Sequence, residues 1–247
     1  LDTNAKPVSY GMNSVCDFKV KILENRFDGM TLDIDGIQVD TKLIGDFNAY
    51  NLLVAFSVGS LLGHNKIDVL TTLSSLSAPE GRFQHITSKT NITSIIDYAH
   101  TPDALENVLK TINAIRTRNE MLLTIVGCGG NRDKKKRPIM GKISASCSDK
   151  TIFTSDNPRN ESPDIIIEEM LAGVSLEDQR KVLKITNRKE AITEAKHLCR
   201  PKDIILIAGK GHETYQESHG VRCLFSDKNQ LRTALQARIG TPGGETL

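Results

Sequence analysis

A chain of 247 residues, 38% hydrophobic and 25% charged, has the material for one large or two modest soluble domains with a sizeable core. The formal net charge of +2, with seven Phe, four Tyr and no Trp, argues against the basic, aromatic-rich surface of a nucleic-acid binder and favours small-molecule or phosphate partners. No apolar stretch approaches membrane-spanning length, and the five cysteines (Cys16, Cys128, Cys147, Cys199, Cys223) are odd in number and widely spaced, which reads as reduced thiols in a cytoplasm rather than a disulfide framework or zinc pattern.

The chain opens at Leu1 without Met and already in mid-pattern, so we expect a fragment or processed chain, with no signal segment at its start. Up to about residue 43, short runs alternate apolar and polar positions: Phe18-Lys19-Val20-Lys21-Ile22, Met30-Thr31-Leu32-Asp33-Ile34 and Ile37-Gln38-Val39. With Asp28-Gly29 and Asp35-Gly36 between them, they predict antiparallel hairpins. Gly45 to Asn51 leads into a helical segment over Leu52 to Leu62, and a second helix is expected from Ile67 to Leu76. Asn48 and Asn51, spaced i and i+3 near a helix start, can face one ligand or serve as caps and loop hydrogen bonds.

Ala78-Pro79-Glu80-Gly81 marks a boundary, after which apolar strands alternate with amphipathic helices. Strands are expected near Ser94 to Asp97, Met121 to Val126, Thr151 to Phe153, Val182 to Ile185 and Ile204 to Ala208. Thr101-Pro102 offers a cap and a first-turn proline for a helix with Leu105, Val108, Leu109, Ile112 and Ile115 on one face. Further helices fit Pro138 to Ala145, Pro163 to Ala172 and Arg188 to Leu198. This order implies an α/β fold with a parallel sheet and right-handed crossovers.

Four of these strands run directly into polar or glycine-rich clusters, and in a parallel sheet all four lie on the edge where open α/β sheets bind ligands. In Ser155-Asp156-Asn157-Pro158-Arg159-Asn160-Glu161, Asp156 can accept from an ammonium while Arg159 grips a carboxylate through two parallel hydrogen bonds. Both ends of an amino acid are provided for, although an Asn-Pro turn with a solvated Arg is the bland alternative. In Gly127-Cys128-Gly129-Gly130-Asn131-Arg132-Asp133, the glycines let backbone N–H groups approach an anion beside Arg132, or simply make a tight strand-to-helix turn. Lys134-Lys135-Lys136-Arg137 reads as a solvated face. Asp97 is suited to a ribose hydroxyl or to capping the next helix. His100 and His212 lack a nearby Ser or Cys nucleophile, and a structural role is expected for His100. Glu213, in Gly209-Lys210-Gly211-His212-Glu213, can hold an ammonium or lie in a surface turn.

Taken in order, Gly81-Arg82, Asp97-Tyr98-Ala99-His100-Thr101-Pro102-Asp103-Ala104-Leu105, Gly127 to Asp133 with Lys136-Arg137-Pro138, Asp156-Asn157-Pro158-Arg159 and Gly209-Lys210-Gly211-His212-Glu213 resemble the Mur ligases over nearly the whole chain. The Asp-Asn-Pro-Arg form resembles the branch that adds meso-diaminopimelate; lysine-adding members usually lack that Arg. The resemblance implies a Rossmann-like, mostly parallel C-terminal domain over residues 80–240, preceded at 1–79 by the last part of a central ATP-binding domain and followed by a loose tail at 241–247. It implies an ATP-dependent amide ligase of peptidoglycan synthesis, with ATP and Mg²⁺. ATP phosphorylates the side-chain carboxylate of D-Glu in UDP-N-acetylmuramoyl-L-Ala-D-Glu, and an amino group of diaminopimelate attacks the acyl phosphate.

Carried over by motif, Arg132, Asp156, Asn157, Pro158, Arg159, Gly209 and Glu213 would hold diaminopimelate, and Asn48, Asn51, Arg82 and Asp97 would contact ATP. The family's glycine-rich phosphate loop ending in Gly-Lys-Thr/Ser does not occur in this sequence. That loop, the modified lysine and acidic residues that hold Mg²⁺, and the UDP-binding domain are expected upstream of Leu1, so no catalytic or metal-binding residue is assigned here. Lys135 stands where many relatives have Gly. The implied setting is a cytoplasmic monomer without nucleic-acid or membrane partners. The rivals are a lysine-adding Mur ligase or a folylpolyglutamate synthetase, against which Arg159 argues, and a non-catalytic amino-acid-binding module.

Overall fold

The computed structural model describes residues 5–12, 15–87 and 91–236, and the chain divides into two compact units, Leu1–Pro79 and Glu80–Leu247. The tail expected at 241–247 lies outside the described residues.

In the first unit the alternating runs become β2 (Phe18–Arg26), β3 (Gly29–Ile34) and β4 (Ile37–Thr41), an antiparallel meander to which β1 (Tyr10–Gly11) adds in parallel. Ile34 pairs with Ile37, so Asp35-Gly36 is a two-residue turn, with φ of 53° and 83°. Positive φ at both positions matches the strand twist of a tight hairpin. Helices α1 (Asp46–Leu61) and α2 (Lys66–Ser74) complete the unit, Leu52, Leu53 and Phe56 joining Val20, Leu32 and Ile34 in one core. α1 begins at Asp46, earlier than the apolar run from Leu52 suggested. Its first turn mixes polar Asp46 and Asn48 with Phe47 and Ala49, and Asn48 Nδ2 turns back to donate to Ile44 O at 2.8 Å.

The second unit contains a six-stranded sheet in the order β5-β6-β10-β7-β8-β9. Its strands are β5 (Gln84–Thr87), β6 (Thr93–Asp97), β7 (Leu122–Val126), β8 (Lys150–Phe153), β9 (Val182–Lys184) and β10 (Ile204–Ala208). All neighbours pair in parallel except β5, an antiparallel edge strand beside β6. Every residue of β7 and β10 is buried, the mark of strands covered on both faces.

The chain steps outward from β6 to β9 through α3 (Pro102–Ile115), α4 (Lys136–Cys147) and α5 (Pro163–Leu171), then returns through α6 (Arg188–Leu198) to β10. Right-handed crossovers place a returning helix on the opposite face from the outgoing ones. Consistently, Ala191, Ile192 and Ala195 of α6 share a core with Leu231, Ala234 and Leu235 of α7 (Asp227–Gln236) and with alternate sheet residues Ile96, Leu123, Ile125, Ile205 and Ile207. The hairpin of β11 (Tyr215–Ser218) and β12 (Val221–Leu224) follows β10.

Register decides where ligands can bind. Ala208 is level with Asp97 on one side and Val126 on the other, and Val126 is level with Phe153. Four strands therefore end in step, beside the position where the direction of winding reverses, the site at which open α/β sheets form a ligand crevice.

Candidate functional site

At that edge the second unit forms a cavity of about 570 Å³, lined by segments that follow β6, β7, β8 and β10. Arg132, Asp156, Asn157, Arg159, Gly209 and Glu213 all line it. Pro158 does not; it lines a separate depression with Ser155 and Arg188. Arg82 and Asp97 are not wall residues of the cavity either, and Asn48 and Asn51 belong to the first unit, where Asn51 Nδ2 donates to Asn48 Oδ1 at 3.4 Å.

The segment after β8 is not a solvated turn but is tied to its surroundings by hydrogen bonds. Asn157 is 2% exposed. Its Oδ1 accepts from Lys210 Nζ at 3.0 Å and from Glu217 N at 3.0 Å, and its Nδ2 donates to Glu213 Oε2 at 2.9 Å. Asp156 Oδ1 accepts from the Asn157 amide at 2.7 Å. Gly209 has φ of 115°, and a Cβ there would lie 2.9 Å from Asp156 Oδ2, so a side chain would meet both backbone strain and the carboxylate.

Arg159 has φ of 51°. A left-handed conformation in a non-glycine residue costs of order 1–3 kcal/mol and persists only where neighbours enforce it. Here the β11–β12 hairpin does so: Arg159 N donates to Glu217 O at 3.1 Å, and Arg159 O accepts from His219 N at 2.7 Å. The guanidinium, thus aimed, lines the cavity and donates through Nη1 to Gly130 O at 2.8 Å.

The loop after β7 favours packing over an anion cradle. Gly130 N donates to Asn157 O at 2.9 Å, and a Cβ on Gly130 would fall 1.9 Å from Pro158 O. Glycine is required because this loop lies backbone to backbone on the Asp-Asn-Pro-Arg segment. The expectation of a solvated basic face fails at Arg137, which is completely buried and paired with Glu161 and Glu169, while its Nη2 donates to Gly129 O at 3.3 Å. A run of four basic residues hid this, because only the structure shows that the fourth turns inward. Lys136 Nζ donates to His100 O at 2.7 Å, joining the same loop to the segment after β6.

Hydrogen bonds from Arg137, then the Asn131 amide, hold the Glu161 carboxyl down from 4.5 to about 2. A depressed carboxylate contributes stability that is complete above its unfolded pKa and is lost as pH falls through the folded one. Stability is therefore expected to decline between about pH 4.5 and 2, and Glu161→Gln should flatten that part of a pH series of denaturant midpoints.

On the other side of the cavity, Tyr98 is the centre of a stack: the Arg82 guanidinium lies 4.8 Å from its ring, His100 4.6 Å and His212 5.2 Å. His100 Nδ1 lies 2.8 Å from Tyr98 O, in keeping with a structural role. Asp97 is 7% exposed and accepts from Phe83 N at 2.6 Å. It does not cap α3; Thr101 does, accepting from Ala104 N at 3.3 Å. Burial raises the Asp97 carboxyl, against the pull of amide hydrogen bonds from Phe83 and Ala99.

Two buried cations were not foreseen in the sequence. Lys210, wholly buried, donates to Glu213 Oε2 at 2.9 Å as well as to Asn157. Burial acts to raise the Glu213 carboxyl, but the hydrogen bond and charge of Lys210 outweigh it, leaving the group below its ordinary value. Arg188 forms a completely buried pair with Asp227 and also donates to Ser155 O and Ala208 O, joining the ends of β8 and β10. Cys128 lines the cavity as an inert thiol, pushed up to about 12 by burial.

With this geometry in place, three comparisons are informative. The family model described as the Mur ligase, glutamate ligase domain matches residues 81–211. The UDP-N-acetylmuramoyl-L-alanyl-D-glutamate--2,6-diaminopimelate ligase of Cytophaga hutchinsonii is 51% identical over 234 residues, covering 95% of this chain and 48% of that protein; the ligase of the same name from Phocaeicola vulgatus is 51% identical over 231 residues, 94% and 48%. A solved structure of a ligase with that name superimposes with a TM-score of 0.70 at 34% identity, covering 95% of this chain and 48% of its own. The chain spans about half the length of the curated relatives it matches.

Proposed function

The chain belongs to the Mur ligase family, and on that premise we propose that it forms the amino-acid-accepting part of an ATP-dependent ligase that adds meso-diaminopimelate to UDP-N-acetylmuramoyl-L-Ala-D-Glu. The supporting observation is the cavity itself, which gathers the carboxylates of Asp156 and Glu213 and the guanidiniums of Arg132 and Arg159 at one sheet edge. A ligand carrying both ammonium and carboxylate groups complements that set. In the proposed reaction ATP phosphorylates the D-Glu side-chain carboxylate, an unprotonated amine of diaminopimelate attacks the acyl phosphate, and the new amide forms as phosphate leaves. The residues of the cavity orient the amine by holding the rest of the amino acid.

Residues 1–79 are proposed as the last part of an ATP-binding domain and 80–240 as the amino-acid-binding domain. Asn48, Asn51, Arg82 and Asp97 are proposed ATP contacts. Among the described residues no group of three or more His, Cys, Asp or Glu is placed to hold a metal ion. No helix among the described residues is long and apolar enough to cross a membrane; a cytoplasmic, monomeric enzyme is our reading.

Phosphoryl transfer depends on a phosphate cradle and positioned Mg²⁺, so this chain alone is expected to release no ADP with both substrates present. Joined to the preceding half of the Cytophaga hutchinsonii relative, it should release ADP only when UDP-dipeptide and diaminopimelate are both supplied. Turnover by the unjoined chain, or turnover of the joined protein that ignores diaminopimelate, would contradict the proposal. In the joined enzyme Asp97→Ala should raise KM for ATP and spare KM for diaminopimelate. It should also destabilise the fold, since the hydrogen bonds that Asp97 accepts from the Phe83 and Ala99 amides, each contributing about 0.5–1.5 kcal/mol, are lost. A lowered melting temperature with unchanged ATP kinetics removes Asp97 from the ATP site.

A further inference from the structure

We propose that Lys210 is a positioning residue of the cavity: its ammonium fixes the orientation of Asn157 and Glu213 and offsets the Glu213 charge, leaving one Glu213 oxygen for an ammonium of the ligand. The inference rests on the reading of the cavity as an amino-acid site. Lys210 has no exposed surface and is not a wall residue, so it acts through its neighbours.

The hydrogen bonds define one arrangement. Asn157 Oδ1 receives two donors, Lys210 Nζ at 3.0 Å and Glu217 N at 3.0 Å. Flipping the amide would set its NH₂ group against an ammonium and an N–H, neither of which can accept. The amide orientation is therefore specified, and Nδ2 is directed to Glu213 Oε2 at 2.9 Å. The same oxygen accepts from Lys210 at 2.9 Å. With Oε2 doubly occupied, Oε1 is the Glu213 oxygen that remains for a ligand.

Charge leads to the same conclusion. Lys210 pairs with Glu213 at 2.9 Å and so offsets a carboxylate that burial disfavours, whereas without Lys210 that carboxylate would lose its nearest counter-charge. Tyr215, whose ring centre lies 5.6 Å from Lys210 Nζ, adds a face that favours the cation.

The test is calorimetric titration of meso-diaminopimelate into this chain and its variants, with the Asn157 side-chain amide followed by NMR in the ligand-free protein. Lys210→Met should weaken binding by about tenfold or more, the scale of a lost charged hydrogen bond, and should shift the Asn157 amide resonances and speed their exchange with water. In the Glu213→Gln background, Lys210→Met should cost less than in the parent, because the part of its effect that runs through the Glu213 charge is already gone. That double variant removes both charges and provides a folded comparison if Lys210→Met alone does not fold. Parent-like binding by Lys210→Met, or an equal loss in the Glu213→Gln background, would overturn the inference. If the parent itself fails to bind diaminopimelate, the amino-acid reading fails instead, and unchanged Asn157 resonances in the variant would separately remove Lys210 from the positioning role.

Discussion

Replacing Arg159 by Ala is expected to remove most diaminopimelate activity and to narrow the preference for diaminopimelate over lysine. The proposed contact is a bidentate pair between the guanidinium and the distal carboxylate that diaminopimelate has and lysine lacks. A hydrogen bond to a charged group contributes about 1.5–3 kcal/mol, and about 1.4 kcal/mol is a factor of ten in binding, so losing even one such bond costs about tenfold. On this proposal lysine is expected to be doubly disfavoured in the parent, because it would forgo the pair and leave the guanidinium facing an aliphatic chain. The geometry sharpens this expectation: Arg159 is held at φ of 51° by the β11–β12 hairpin, and one N–H of its fork is already committed to Gly130 O. Arg159→Lys should rescue poorly, since an ammonium cannot serve Gly130 O and a carboxylate through one planar fork. The measurement is kcat/KM for both amino acids in the joined enzyme and its Arg159 variants, and an unchanged preference in Arg159→Ala would remove this residue from specificity.

The second large effect concerns stability. Arg188→Met is expected to destabilise the second unit by about 3–5 kcal/mol, the usual consequence of leaving one member of a buried ion pair without its partner. Neither Arg188 nor Asp227 has exposed side-chain surface, and Asp227 would be left with an uncompensated charge. Burial opposes the Arg188 charge, yet the charge and hydrogen bonds of Asp227 overcome it and raise the group. Arg188→Met combined with Asp227→Leu should recover much of the loss, because an apolar pair of similar volume needs no counter-charge. Denaturant unfolding of the parent and the two variants decides the matter; a double variant no more stable than Arg188→Met would mean that the bonds to Ser155 O and Ala208 O, not the ion pair, carry the energy.

Much of the fold was legible because its signals are local. The five parallel strands lie within a residue or so of their expected positions, and β7 and β10, buried throughout, show the near-continuous apolar runs of strands covered on both faces. α6 and β10 match their expected limits, while Thr101-Pro102 announced α3 through cap chemistry. What escaped is set by tertiary contact. Strand β5 is short and lies beyond a boundary rich in turn residues, β12 is exposed throughout, and α7 has no apolar run to mark it before its packing partner α6 is known. The same division holds at the site. Six of the seven residues proposed for diaminopimelate line one cavity because their motifs follow strands that end in step. The inward turns of Arg137, Arg188 and Lys210 were not legible: Arg137 and Arg188 pair with carboxylates contributed from elsewhere in the fold, and Lys210, although its partner Glu213 lies three residues on, also meets Asn157 from the segment after β8. Gly127, Gly129 and Gly130 had two readings in the sequence, and the proximity of Pro158 O to Gly130 favours packing.

The central claim, that Asp156, Asn157, Arg159 and Glu213 form a site for diaminopimelate, is tested most directly by competition. The joined enzyme would be given ATP, UDP-N-acetylmuramoyl-L-Ala-D-Glu and equal concentrations of meso-diaminopimelate and L-lysine, with the products resolved by mass spectrometry. The account predicts a diaminopimelate-containing product in large excess, an excess that shrinks with Arg159→Ala. Comparable amounts of the two products from the parent enzyme, or a predominance of the lysine product, would contradict it.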